Sequence, residues 1–253
     1  MVGGVEGYGP ASYGEGFADV YDEWYADVSD PDAVAGLVAE LAGGGRVLEL
    51  GIGSGRLALA IASRGIEVWG IDASPAMVER LRAKDGGEAI PVAMGDMADI
   101  DLTSLPGGAD ARFAVVLVAY NTLFNLATEA DQARALARCA AVLAPDGHVV
   151  VEAIVPESDP PPSAVEARTV EVDRVVLNVS RREPDGGAVR GQLVEITGAG
   201  IRLRPWLVRP VGPEAIDALA AAGGLRLAHR WSGWRREPYT DADPVHVSVY
   251  RAG

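Results

Sequence analysis

Along residues 46–155, short apolar runs alternate with segments whose apolar positions recur at helical spacing. The runs Arg46-Val47-Leu48, Val68-Trp69-Gly70-Ile71, Ile90-Pro91-Val92-Ala93-Met94, Arg112 to Val118 and His148 to Val155 read as five strands. Between them lie the helical patterns Leu57 to Ala62, a segment opened by Ser74-Pro75, and a segment from the capping sequence Thr128-Glu129-Ala130-Asp131 to about Leu143. Upstream, Asp30-Pro31 caps a helix over Val34 to Leu41 that stops at Gly43-Gly44-Gly45. Phe17, Val20, Tyr21, Trp24 and Tyr25 predict one short amphipathic helix from Phe17 to Trp24, after a loose, Gly- and Tyr-containing stretch over 1–15. Strands and helices in this alternation imply right-handed crossovers and a parallel sheet.

The rhythm breaks at Pro156-Glu157-Ser158-Asp159-Pro160-Pro161-Pro162, a stiff extended connector. Three β-type stretches follow, Ala167–Ser180, Ala188–Thr197 and Ile201–Pro210, separated by Pro184-Asp185-Gly186-Gly187 and Gly198-Ala199-Gly200. They predict an antiparallel meander, within 163–210, inserted before the last helix. Gly212-Pro213 starts that helix and Gly223-Gly224 ends it, and Leu225–Trp231 with Val245–Tyr250 supplies a final strand pair. No internal repeat is present. The pattern therefore predicts an α/β, doubly wound, mostly parallel sheet within a single domain over 1–253.

Length and composition agree with this reading. A chain of 253 residues, 49% hydrophobic and 23% charged, buries a full core without staples. One cysteine, Cys139, rules out an internal disulfide framework. No apolar run approaches the ~20 residues of a membrane span, and Met1 to Gly7 shows neither the basic nor the apolar region of a signal peptide. The expectation is a cytoplasmic protein without a membrane partner. The net charge of −14 argues against a nucleic-acid partner, whose affinity rests on Lys and Arg. Acid is concentrated in residues 1–162, with 25 acidic and 9 basic side chains.

The chemistry gathers at the strand ends. The first strand runs into Glu49-Leu50-Gly51-Ile52-Gly53-Ser54-Gly55 and then directly into a helix, the order of elements that cradles nucleotides in doubly wound folds. The second strand ends at Asp72, 21 positions after Gly51, placed to accept both hydroxyls of a ribose. After the third comes Gly95-Asp96-Met97, where Asp96 offers a second acid to an adenine amino group. A nicotinamide dinucleotide fingerprint needs a small residue where this chain has Arg56. An NAD(P)-dependent oxidoreductase and a non-catalytic binding module remain the alternatives.

The set Glu49, Gly51, Gly53, Gly55, Asp72, Asp96 and Met97 resembles the cofactor motifs of class I S-adenosylmethionine-dependent methyltransferases, over roughly residues 16–253. The resemblance implies a seven-stranded sheet of order 3-2-1-4-5-7-6, with the final strand antiparallel beside the fifth. It implies S-adenosyl-L-methionine as cofactor, with Ala73, Met77 and Ala119 completing the set. The N-terminal 1–30 resembles the lid of small-molecule methyltransferases, which places Tyr21 and Tyr25 over the methionine end of the cofactor. Removing residues 1–26 is then expected to leave the sheet folded. Lid, meander and the lack of a ligand-spaced metal cluster together resemble the amino-sugar N-methyltransferases of natural-product pathways. The expected reaction is metal-independent methyl transfer to O or N of a small organic acceptor. Tyr13, Tyr120, Asn121 and Asn125 are candidates for acceptor binding, and Glu152 and His246 for a general base. The meander is also a candidate homodimer surface.

Overall fold

The computed structural model describes residues 7–184 and 187–253. The expected looseness and the signal-free start over residues 1–6, and the turn residues Asp185-Gly186, lie outside them. Helix α1 spans Ser12–Phe17, α2 Tyr21–Trp24 and α3 Pro31–Ala42. Strand β1 (Val47–Leu50), α4 (Arg56–Ala62), β2 (Val68–Asp72), α5 (Pro75–Arg82), β3 (Val92–Met94), β4 (Phe113–Val118), α6 (Glu129–Ala141) and β5 (Leu143–Ile154) build the alternating part. The meander follows as β6 (Ser163–Val170), β7 (Arg174–Arg182), β8 (Val189–Thr197) and β9 (Gly200–Val208). Helix α7 (Pro213–Ala222), β10 (Leu225–Trp231) and β11 (Val245–Ala252) complete the chain.

The main sheet runs β3-β2-β1-β4-β5-β11-β10, the expected order, with β11 antiparallel to both β5 and β10. Its strands are apolar on both faces because both are covered. Alternate residues of β1 show this: Val47 belongs to the core cluster that holds Val34, Val38, Ala58 and Ile61 of α3 and α4, whereas Leu48 belongs to the one that holds Leu136, Cys139 and Ile216 of α6 and α7. The helix caps fall where the sequence placed them. Asp30 Oδ1 accepts from the N–H groups of Asp32 and Ala33, Ser74 Oγ from Met77, and Thr128 Oγ1 from Asp131.

Four expectations change. The single helix from Phe17 to Trp24 is two short ones, broken at Ala18 to Val20, where Asp19 turns toward Arg202 and Arg204 of the meander. The stretch Ala167–Ser180 belongs to two strands, so the meander has four. Its extra turn at Glu171–Asp173 is closed by the Glu171 N–H on the Arg174 carbonyl and contains neither Gly nor Pro. The fifth strand starts at Leu143, and Pro145-Asp146-Gly147 forms a bulge within it, the register jumping from Phe113↔Leu143 to Val115↔His148. Finally, the N-terminal segment packs as core. Phe17, Ala18 and Tyr25 are buried with Met77 of α5 and with Val176 and Leu193 of the meander. Gly14 lies so near α5 that a Cβ there would sit 2.4 Å from Ser74 Cβ. Arg204, 1% exposed, donates to Asp19, Glu195 and the Gly16 carbonyl. Residues 12–25 are therefore packed into the fold. Among the described residues no helix is long and apolar enough to cross a membrane.

Candidate active site

A cavity of about 810 Å³ lies between the carboxyl ends of β1 to β4 and a roof made of α1, α2 and the inner face of the meander. That size suits a small-molecule site, for which about 300–1,000 Å³ is usual. Its floor follows from the strand–loop–helix sequence. Gly51 and Gly53 take left-handed φ of 63° and 55°, which glycine adopts without a Cβ penalty, and both line the cavity. Gly55, also left-handed, does not line it. A Cβ there would lie 2.2 Å from Leu81 Cδ1, so its small size serves the packing of α4 on α5.

Asp72 lines the cavity and is wired to the loop. Its Oδ2 accepts from the Gly53 N–H at 2.7 Å and its Oδ1 from the Ser74 N–H at 2.8 Å. Burial raises its pKa against the pull of those backbone donors. Ala73, Met77, Asp96 and Met97 line the same wall, and Asp96 Oδ1 accepts from the Ala98 N–H.

Glu49 and Ala119 lie instead around a smaller space beside the loop, with Tyr21, Gly51, Arg56 and Tyr120. Burial pushes the Glu49 carboxyl up to about 8, against the pull of Arg56 and with the charge of Asp72 adding to the rise. Its Oε2 is buried without a hydrogen-bond partner. A buried acceptor of this kind calls for a donor, and a ligand ammonium group would supply one. Arg56, at the position where a dinucleotide fingerprint has a small residue, points its guanidinium at Ser29 Oγ, 2.6 Å away.

The turn after β4 is strained. Tyr120 and Asn121 are successive non-glycine residues at φ of 45° and 60°, a conformation that costs of order 1–3 kcal/mol per residue and persists where surroundings enforce it. Glu152 enforces it. Its Oε2 accepts from the Tyr120 N–H at 2.8 Å, its carbonyl accepts from the Asn121 N–H, and its Oε1 accepts from Trp234 Nε1 at 2.6 Å. Asn121 Oδ1 in turn accepts from the Ile154 N–H. Tyr120, Asn121 and Asn125 line the cavity.

Neither candidate base does. Glu152 faces the backbone of Tyr120 and the Trp234 indole, both oxygens engaged. His246 is fully buried, its Nδ1 is 2.9 Å from Ser248 Oγ, and its ring stands edge-on to Tyr239. Burial, with the nearby Arg230 charge, pulls its pKa down to about 4. The sequence shows which end of a strand each occupies, but the two lie on opposite faces of the sheet, Glu152 opposite Val247 and His246 opposite Ala153, and neither side chain reaches the cavity.

The roof is aromatic. Tyr13, Tyr21 and Tyr25 line the cavity, and the Tyr13 hydroxyl donates to that of Tyr25 at 3.2 Å. Tyr21 and Tyr25 rings lie 4.8 Å apart, and Tyr25 meets Tyr120 edge-on at 5.9 Å. Burial raises the pKa of Tyr13 and of Tyr21, and that of Tyr120 to about 12, so these phenols stay protonated. One face of Tyr25 is already covered by the Arg168 guanidinium, 4.9 Å from the ring centre. Sequence reading missed the meander's share of the lining, including Glu166, Arg168, Asn178 and Trp206. Period-2 alternation identifies two faces of each strand but not which one meets the main domain.

A family model described as a methyltransferase domain matches residues 47–147. The CcbJ methyltransferase from Streptomyces caelestis is 32% identical and superposes with a TM-score of 0.88 over 97% of this chain and 100% of that one. CalS10 from Micromonospora echinaspora, an amino pentose methyltransferase solved with S-adenosylmethionine bound, is 25% identical, with a TM-score of 0.62 over 93% of each chain. The putative methyltransferase YqeM of Bacillus subtilis is 31% identical over 134 residues, 53% of this chain and 52% of that protein. The chain spans about half the length of the curated relatives it matches. This chain belongs to the class I S-adenosylmethionine-dependent methyltransferases. Its cofactor is S-adenosylmethionine.

Proposed function

We propose that the protein moves the methyl group of S-adenosylmethionine to an amine nitrogen of a small organic molecule in secondary metabolism. The observation that carries this is the convergence of Gly51, Gly53, Asp72, Asp96 and Met97 on one wall of a cavity whose opposite wall is the meander. Asp72 would take the ribose hydroxyls, Asp96 the adenine amino group, and Glu49 the ammonium of the methionyl end. The cofactor supplies an electrophilic methyl carbon on a sulfonium. The chain's own residues bind, orient and exclude water, and proximity alone supplies roughly 7–11 kcal/mol when reactants are held in line.

Nitrogen is favoured over oxygen by the side chains that reach the acceptor space. Glu152 and His246 face away. The phenols of Tyr13, Tyr21 and Tyr120 are held protonated. Asp131 is paired with Arg134 and Thr128, and Glu166 is exposed. The neutral form of an amine brings its own lone pair to the methyl carbon, and the methylated ammonium product gives up its proton to water, so the step itself needs no base. The amino pentose named for CalS10 agrees with this choice. The reaction is proposed to run without a metal, since among the described residues no three His, Cys, Asp or Glu side chains gather to hold one. Incubation with S-adenosylmethionine and a library of amines, amino sugars and phenols tests the reading by mass spectrometry. Methylated amines and S-adenosylhomocysteine are expected, and methylation confined to phenols would contradict it.

The homodimer is proposed through the outer face of the meander, where Val170, Val175, Ile196 and Ile201 are paired in one row across four strands. Val165, Val170, Ile201 and Leu203 are exposed there. Sedimentation of the wild type and Ile201→Asp tests it, a monomeric wild type being the contrary result.

A further inference from the structure

Helix α2 carries Tyr21 on the cavity wall and leads into Tyr25, yet it has only four residues. A helix so short is not stable by itself, so what fixes it must be its ties to neighbours. Toward the cofactor loop the tie is one ionic cluster. Asp22 Oδ1 accepts from Ser54 Oγ at 2.5 Å and from Lys84 Nζ at 2.8 Å. The same Lys84 ammonium donates to the Ser54 carbonyl at 2.8 Å, and Arg80 Nε stands 3.5 Å from Asp22 Oδ2. Ser54 is buried, between Gly53, which lines the cavity, and Gly55. Lys84, on the residues after α5, is the only lysine in the chain. None of Asp22, Ser54 and Lys84 lines the cavity itself.

We propose that Asp22, Lys84 and Ser54 form a latch that holds α2 on the glycine loop and so sets how long the cofactor stays bound. Lys84 bridges the two parts because its ammonium has three donors: one goes to the helix carboxylate, one to the loop carbonyl. Neutralising either charge loosens α2 from the glycine loop and with it the contact of Tyr21 on Tyr25, which stays packed in the core, while Gly51, Gly53 and Asp72 stay in place. Release then speeds up and association does not. Asp22 and Lys84 are positioning residues, acting through the aromatic pair. The inference rests on the reading of the cavity as the cofactor site.

The test is the rate of S-adenosylhomocysteine release from full-length protein, measured by rapid-mixing competition for the wild type, Lys84→Met, Asp22→Asn, the double variant and Lys84→Arg. Release is expected to rise roughly fivefold in each charge-neutralised single variant, the scale of one partly exposed ion pair. The double variant should add little, because the two groups act as one unit. Lys84→Arg should restore most of the wild-type rate. Association rates and the melting temperature of the ligand-free protein should hold. Unchanged release, or a rise that Lys84→Arg does not rescue, overturns the latch, as does a loss of melting temperature without faster release. Asp22→Asn keeps the side-chain shape and serves where Lys84→Met fails to fold. A wild type that does not bind S-adenosylhomocysteine overturns the cofactor reading and the latch with it, whereas tight wild-type binding with unaltered variants overturns the latch alone.

Discussion

The Gly53 N–H donates to Asp72 Oδ2 at 2.7 Å, so the carboxylate proposed to take the ribose hydroxyls also fixes the loop beside it. Asp72→Ala should therefore lose a ligand contact and loosen Gly51 to Gly53 together. The expected loss is about 1.5–3 kcal/mol of binding free energy, the range for a hydrogen bond to a charged group, or roughly ten- to a hundredfold in affinity for S-adenosylhomocysteine. Calorimetric titration measures it, and unchanged affinity would remove Asp72 from the site.

Glu152 gives a test of a structural against a catalytic carboxylate. A glutamine there has one acceptor oxygen for two donors, Tyr120 N–H and Trp234 Nε1. Glu152→Gln should lower stability by about 1–3 kcal/mol, the cost of one unsatisfied buried group, which for a chain of this size is roughly 2–12 °C in melting temperature. Turnover should fall as Tyr120 shifts, while the shape of the pH–rate profile stays the same. A variant that lost the acidic limb of its kcat/KM profile, where a base is inactivated by protonation, would restore Glu152 as a base.

Much of this was legible in the sequence, and the reasons differ by element. β1 to β4 announce themselves because strands covered on both faces are near-continuous apolar runs, and the ends of the first three, at Gly51, Asp72 and Gly95-Asp96, line the cavity. The β6–β7 hairpin was hidden because Glu171-Val172-Asp173 turns without Gly or Pro. The break between α1 and α2 was hidden because it answers to Arg204, 185 positions away from Asp19. Trp206 and Asn178 were missed for the same reason: only tertiary packing decides which face of the meander looks into the cavity.

Glu49 predicts a proton released on binding. Its carboxyl titrates at about 8 in the free protein, so at pH 7 it is mainly protonated, and a cationic ammonium beside it would drive the proton off. Titrations of S-adenosylhomocysteine at pH 7 in buffers of different ionisation enthalpy should show release of up to one proton, absent in Glu49→Gln. The raised value also fixes a sign for stability. Glu49 favours the folded state below the ordinary carboxylate range, and that contribution declines as pH rises toward about 8. The melting temperature of Glu49→Gln should therefore fall less steeply than that of the wild type between about pH 4.5 and 8.

Removing residues 1–26 should do more than open a lid. It takes Asp19 and the Gly16 carbonyl from Arg204, a cation that is 1% exposed. Breaking a buried pair costs about 3–5 kcal/mol, and the exposed side of Asp19 puts this one at the lower end. A fall of roughly 10 °C in melting temperature is expected, with amide exchange rising in β7 to β9. A truncated protein as stable as the intact chain would show the segment to be a free flap after all.

The most direct test of the account is a pair of calorimetric titrations of the purified chain, one with S-adenosylhomocysteine and one with NAD. The geometry of Gly51, Gly53, Asp72 and Asp96, with Arg56 in place of a small residue, predicts one S-adenosylhomocysteine site per chain and no heat from NAD at the same concentrations. Binding of NAD with no response to S-adenosylhomocysteine would contradict it.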